Sequence, residues 1–124
     1  MSKPSLTPRT LELFLAYAKD SGNWSGTPLV GGNVGGSKED RGNITQMKRA
    51  GLVTTFVDEG NTWLQFTSAG VIFAAQNGVL IDELCCMPDL QADLLKAAGL
   101  EVPTDFDARE AMAITLIRGY LPKA

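Results

Sequence analysis

The stretch most suited to chemistry in this chain is rich in glycine. Residues 29–40 read LVGGNVGGSKED, in which four glycines occupy six positions and Ser37, Lys38 and two acids follow. A phosphate-binding loop needs a lysine directly after its last glycine, with serine or threonine next. Here Ser37 precedes Lys38, and the dinucleotide fingerprint G-x-G-x-x-G fits no register of residues 31–36. The pattern therefore predicts a compact corner ahead of a helix, not a nucleotide site.

Catalytic and metal-binding residue types are scarce elsewhere. The 124 residues include no histidine, the commonest general base near neutral pH and a frequent zinc ligand. The two cysteines, Cys85 and Cys86, are adjacent, and we expect reduced, partly buried thiols. The acidic pairs Asp82-Glu83 and Asp105/Asp107 suit helix starts better than catalysis. We therefore expect no enzyme, no metal and no cofactor, although an enzyme using carboxylates remains a third hypothesis.

Helix-end residues and apolar spacing predict the elements that position the polar residues. Thr7-Pro8 is a typical helix start, and Ser37 and Gly51 bracket a second helix over residues 38–50, with Asp40 completing a weak capping box. The predicted order is a helix from 8 to about 21, an extended piece at 28–30, the helix 38–50, a hairpin with strands 52–57 and 62–66, and helices at 68–77, 88–98 and 105–119. The fold class is therefore α+β, mostly α.

The composition is that of a globular protein, with 44% apolar and 20% charged residues. No apolar stretch approaches the roughly 18 residues that span a membrane. The first ten residues lack the apolar core of a signal peptide. We therefore expect a cytoplasmic protein that does not bind membranes.

The charge is unevenly distributed along the chain. The net charge is −3, but residues 1–51 carry seven bases and four acids, which gives +3, whereas residues 52–124 carry four bases and ten acids, which gives −6. A phosphate backbone responds to the local field of the surface that it meets. The basic first half is therefore compatible with nucleic-acid binding.

Residues 44–70 carry a recognisable order of motifs. An amphipathic helix ends at Gly51-Leu52-Val53, a hairpin turns at residues 58–61 (Asp-Glu-Gly-Asn), and Phe66-Thr67-Ser68-Ala69-Gly70 opens a helix. This order resembles the winged helix-turn-helix of bacterial transcription regulators of the MarR and PadR type, which runs recognition helix, GLV or GLI, wing hairpin and LTxxG. The resemblance covers roughly residues 5–78.

The resemblance implies a winged-helix domain over residues 1–78 and a C-terminal helical extension over residues 79–124. It also implies that the helix 38–50 enters the DNA major groove. The chain is then a small sequence-specific regulator of transcription, acting as a repressor on double-stranded DNA. With Ile44 and Met47 facing the core, the opposite face presents polar and basic groups. The predicted DNA-binding residues are Ser37 at the helix start, Lys38, Arg41, Lys48 and Arg49 on phosphates, and Thr45 and Gln46 on bases.

Three features depart from that family pattern. The tip of the hairpin is acidic, so we do not expect it to enter the minor groove. The helix that normally precedes the recognition helix is reduced to the glycine-rich stretch, and the whole chain is acidic. These features support an alternative, a protein-interaction module of a phage, plasmid or mobile-element system that binds a basic protein partner through its acidic surface.

The C-terminal extension has more apolar positions than so short a segment needs for solubility. It must bury Leu90, Leu94, Met112, Leu116 and Ile117, either within its own chain or against a second copy. Amphipathic terminal helices commonly form the dimer in winged-helix regulators. We therefore expect a homodimer formed through residues 79–124.

Overall fold

The fold is α+β and mostly helical, as the sequence predicts. The computed structural model describes residues 6–24, 26–34, 37–81, 84 and 87–122. In these, no helix has both the length and the apolar character needed to cross a membrane. The predictions for residues 35–36, 82–83 and 85–86 fall outside the described residues. The elements are α1 (Pro8–Asp20), a 3₁₀ turn (Ser21–Asn23), α2 (Lys38–Arg49), β1 (Val53–Asp58), β2 (Asn61–Phe66), α3 (Ser68–Gln76), α4 (Pro88–Ala97) and α5 (Phe106–Arg118).

The predicted ends of α2 are confirmed. The Ser37 hydroxyl accepts a hydrogen bond from the Asp40 amide at 3.1 Å, which satisfies one free donor of the first turn. At the other end Gly51 has φ +76°, and the Leu52 amide donates to the Met47 carbonyl at 3.1 Å. This backbone conformation, which favours glycine, ends α2 and turns the chain back beneath the helix. The carboxylate of Asp40 does not complete a capping box, because it faces α1 instead.

The two strands form an antiparallel hairpin that runs from the pair Val53–Phe66 to the pair Asp58–Asn61. Glu59 and Gly60 form a two-residue turn with φ of +51° and +80°, the conformation that matches strand twist. The extended piece at 28–30 lies along the other edge of β2, where the Leu64 amide donates to the Pro28 carbonyl at 2.9 Å. β1 is therefore the outer strand of this small sheet.

One hydrophobic cluster joins the predicted N-terminal domain (residues 1–78) to the predicted C-terminal extension (residues 79–124). Phe14 of α1 contacts Phe66 of β2 and Phe73 of α3, with ring centroids 5.6 and 5.5 Å apart. The same cluster includes Leu94 of α4 and Ile117 of α5, which are fully buried. The C-terminal helices therefore pack on α3 and share the core of the N-terminal region.

The two halves of the GLV and FTSAG pattern contact each other directly. The Thr67 hydroxyl donates to the Gly51 carbonyl at 2.6 Å, and the Thr67 amide donates to the Leu52 carbonyl at 3.1 Å. A side chain at Gly70 would overlap with that Leu52 carbonyl. The first turn of α3 therefore holds the junction between α2 and β1, which requires glycine at position 70.

Candidate nucleic-acid interface

α2 is held against α1 by apolar and polar contacts on one side. Ile44 and Met47 are buried in the core. Beside them, the buried Thr10 hydroxyl of α1 donates to the Asn43 side-chain oxygen at 2.8 Å. These contacts fix which side of α2 faces outward, because rotating the helix would break the hydrogen bond and expose the apolar pair.

An ion pair adds to this contact between the helices. The Arg9 guanidinium lies 3.1 Å from the carboxylate of Asp40, whose side chain is 10% exposed. The pKa of Arg9 is raised, first by its hydrogen bond to Asp40 and then by the charge of that carboxylate. One of the two acids of α2's first turn is thus oriented toward α1 and away from the outward side.

The outward side of α2, called here the α2 outer face, is polar and basic. The exposed acid Glu39 lies at one border of this side. A helix of 3.6 residues per turn brings positions 38, 42, 45 and 49 onto this side, opposite Asp40, Ile44 and Met47, and places 41 and 48 along its other border. All six are exposed. In the part of the chain that the structure describes, Arg9 is the only base that forms an ion pair. The α2 outer face consists of Lys38, Arg41, Gly42, Thr45, Lys48 and Arg49.

Two of the predicted DNA-binding residues have hydrogen-bond partners on other elements than α2. Gln46 is half-buried at the edge of the α2 outer face, and its side-chain oxygen accepts a hydrogen bond from the Thr7 amide at 2.9 Å. The Lys48 ammonium donates to the hydroxyl of Thr55 on β1 at 3.3 Å. Gln46 thus contributes to the start of α1, and Lys48 links the recognition-helix candidate to the hairpin.

The remaining predicted residues lie close together. Ser37 is exposed and uses its hydroxyl to cap α2, while Thr45 is exposed and donates to the Arg41 carbonyl at 3.1 Å. Gly42 has no atom within 4 Å of the position where a side chain would begin. The structure therefore brings Lys38, Arg41, Thr45 and Arg49 together on one open surface, with Gly42 in the middle.

The glycine-rich corner in front of α2 is organised by a buried carboxylate. Asp20 accepts hydrogen bonds from the side chains of Asn23, Trp24 and Asn33, each at 2.9 Å. Burial alone would raise the pKa of Asp20, but the three donated bonds together lower it below its ordinary value. A carboxylate hydrogen-bonded to Asn33 disfavours a phosphate beside residues 31–34, so this geometry fits a structural turn. The sequence did not point to Asp20, since one of its partners, Asn33, lies 13 residues further along the chain.

The hairpin carries an apolar surface that the sequence reasoning also missed. Phe56 and Val57 of β1 are 42% and 71% exposed, next to the exposed acids Asp58 and Glu59. Trp63, which pairs with Phe56 across the hairpin, packs edge-on against Trp24 with centroids 5.6 Å apart. The run VTTFVD lacks the clear apolar–polar alternation that would have shown which residues face outward.

Known proteins give no independent assignment of this arrangement. Neither the protein-family models, nor the curated proteins, nor the solved structures contain a match to the chain. We therefore infer the function from the geometry and charge of the chain itself.

Proposed function

We propose that residues 6–78 form a winged helix-turn-helix domain that binds double-stranded DNA, with α2 as its recognition helix. The observation that carries the proposal is the α2 outer face, which presents cationic and hydroxyl groups to solvent on a rigidly held helix. Arginine and lysine bind phosphates, and hydroxyl and guanidinium groups contact base edges in the major groove. The extended piece at 28–30 supports the winged-helix assignment, because it pairs with the hairpin through a bridge between Leu29 and Trp63.

The proposed roles follow from position on α2. Lys38, Arg41 and Arg49 bind phosphates, and Thr45 contacts a base edge between them. Gly42 allows the backbone to approach the groove closely. Lys48 binds a phosphate only after leaving Thr55, and Gln46 serves mainly to hold α1 in place. The Ser37 end of the helix contributes its backbone amides, which favour anions.

We propose further that this binding is sequence-specific and regulates transcription as a repressor. A domain of this size that occupies the major groove excludes other proteins from the same site. The acidic tip of the hairpin supports a mode in which α2 makes the contacts and the hairpin stays outside the minor groove, since its carboxylates would be repelled by phosphates.

The test is a selection of bound sequences from random duplex DNA, followed by fluorescence anisotropy at several salt concentrations. Arg49→Ala and Arg41→Ala should each weaken binding and flatten the slope of log affinity against log salt by about 0.9. Lys96→Ala, an exposed lysine on α4, is the matched control and should change neither. Thr45→Ala should alter which sequences are selected. Equal affinity of all variants for every duplex would refute the proposal.

A second candidate function is supported by the hairpin. Phe56 and Val57 are exposed on opposite faces of β1, close to Asp58 and Glu59, so each offers an apolar contact with acidic neighbours to a protein partner with a basic, partly apolar surface. This is the protein-interaction module of the alternative hypothesis. Affinity capture with wild type and with Phe56→Ser/Val57→Ser distinguishes the two. A protein that is captured only by wild type, without DNA binding at low salt, supports the second function.

A further inference from the structure

α5 presents an apolar side that its own chain leaves uncovered. Ala113 and Ile117 are buried against the core, while Met112 on another side is 37% exposed. An apolar groove of about 410 Å³ lies between this side and Leu100, which follows α4 and is 43% exposed. We call the outward side the α5 stripe, which consists of Ala108, Ala111, Met112, Thr115, Leu116 and Gly119.

Two opposite charges lie along the same edge of the α5 stripe, one near each end of the helix. Asp107 lies in the first turn of α5 and Arg118 in the last, and both are exposed. The two positions differ by eleven residues, which is about three helical turns, so their side chains leave the helix within about 20° of each other and about 16 Å apart. One edge of the stripe is therefore negative at its start and positive at its end.

We propose that α5 packs antiparallel against α5 of a second copy of this chain. The two copies are related by a two-fold axis that crosses the helix pair between residues 112 and 113. A two-fold axis perpendicular to the helix pair brings the same edge of each helix together with reversed direction. Under this symmetry a residue at position i lies level with partner position 225 − i. Asp107 then faces the partner's Arg118, and Arg118 faces the partner's Asp107.

The same register places an apolar side chain in the groove. The partner's Met112 lies level with position 113, between the two successive turns of the stripe at 111–112 and 115–116. Methionine adapts its shape to irregular apolar spaces. Small residues at 108, 111 and 119 allow the two backbones to approach closely. The groove that would receive the partner's Met112 is lined by Leu100, Ala111, Met112, Thr115 and Leu116.

A parallel arrangement of the two helices does not use the charges in this way. The two-fold axis would then run along the helices, so that equivalent residues lie level but on opposite edges, and Asp107 would not meet Arg118. The charge pattern thus selects the antiparallel pair and a second copy as the occupant. The proposed pairing involves α5 and Leu100 and is independent of DNA binding by α2.

The decisive experiment uses charge reversal in the full chain, with mass measured by analytical ultracentrifugation over a wide concentration range. Wild type should form a dimer. Asp107→Arg and Arg118→Asp should each raise the dimer dissociation constant about tenfold, because two attractive pairs become repulsive. The double variant should recover dimerisation, and an equimolar mixture of the single variants should form a heterodimer in preference to either homodimer.

A second variant tests the apolar contact. Met112→Asp should abolish the dimer, and Lys19→Asp, at an exposed position of α1, should leave it intact. Circular dichroism checks that both variants remain folded. The proposal is overturned by a wild type that stays monomeric at all concentrations, by a dimer that survives Met112→Asp, or by single variants whose mixture shows no preferred pairing. A wild type that stays monomeric would mean that a different protein or another segment of polypeptide covers the α5 stripe.

Discussion

α2 and α5 are both amphipathic helices held by one side, yet their exposed sides differ in kind. α2 buries Ile44 and Met47 and presents lysines, arginines and a threonine. α5 buries Ala113 and Ile117 and presents alanines, Met112 and Thr115. A polar surface is well hydrated in water, whereas moving an apolar surface out of water lowers the free energy. The contrast supports the proposals of a charged ligand for α2 and an apolar partner surface for α5.

The inner contacts of the two helices differ as well. The Thr10–Asn43 bond and the Arg9–Asp40 pair determine the rotation of α2 about its axis. On α5 a comparable role falls to Arg109, which donates to the side-chain oxygen of buried Gln91 on α4 at 3.1 Å. Among the described residues, more polar contacts to other elements hold α2 than hold α5.

The largest expected effect comes from the contact that holds the end of α2. Gly70→Ala should lower the free energy of unfolding by about 3 kcal/mol, because the new methyl group overlaps with the Leu52 carbonyl. Urea unfolding measures this. The matched control is Gly42→Ala on the α2 outer face, which meets open space and should raise stability by about 0.5–1 kcal/mol. Equal effects of the two alanines would contradict the proposed role of Gly70.

The next effect concerns the corner that leads into α2. Asp20→Asn should cost about 2 kcal/mol at pH 7, since the ionised carboxylate accepts three hydrogen bonds. The pKa of Asp20 is lower in the folded chain, so this stabilisation is complete above about pH 4, the ordinary value for Asp, and is lost as the pH falls through the lowered pKa.

Urea unfolding of wild type and Asp20→Asn between pH 7 and pH 2.5 checks this sign. The difference between the two should shrink below about pH 4. Asp58→Asn at the hairpin tip is the control and should follow wild type across the range. A difference between wild type and Asp20→Asn that stays constant with pH would show that the carboxylate acts without its charge.

A smaller effect is expected in the core beneath α2. The Tyr17 hydroxyl is fully buried without a hydrogen-bond partner in the described part of the chain. Burial, reinforced by the charges of Asp40 and Asp20, raises the pKa of Tyr17 to about 12, although the Gly31 backbone acts in the opposite direction without reaching hydrogen-bond geometry. Tyr17→Phe should therefore raise stability by about 1 kcal/mol at pH 7.

The advantage of Tyr17→Phe should widen above pH 10, where the unfolded tyrosine ionises and the folded one does not. Urea unfolding at pH 7 and pH 11 measures both the gain in stability at pH 7 and its increase at high pH. Tyr120→Phe, at a half-buried position near the end of α5, provides the comparison and should lack the pH-7 gain. If Tyr17→Phe proves less stable than wild type, then the hydroxyl has a partner.

The smallest free-energy effect separates the two exposed sides directly. Arg49→Ala should weaken DNA binding by about fivefold, since it removes one phosphate contact, and should leave the dimer mass unchanged. Met112→Asp should change the mass while each monomer keeps its α2 outer face. Anisotropy and ultracentrifugation on the same samples check this. A variant of α2 that changes the mass, with folding intact, would show that the two sides are not independent.

The sequence predicted the elements well because their ends are local features. Thr7, Ser37 and Asp105 each cap a helix through their own side chains, and Gly51 stops α2 by its backbone conformation. Such contacts join residues within a few positions of each other. The predicted basic side of α2 also followed from helix periodicity, although Gln46 lies at its edge and faces α1.

What the sequence determined by itself is therefore the fold class, the order of the elements and the distribution of charge between the two halves. What only the tertiary structure decided is how distant residues meet, as Asp20 does with Asn33, Gly70 with Leu52 and Gln46 with Thr7. The structure also decided which apolar residues stay outside, namely Phe56, Val57 and Met112. The physical reason is that burial depends on what packs above a residue, and that neighbour comes from elsewhere in the chain.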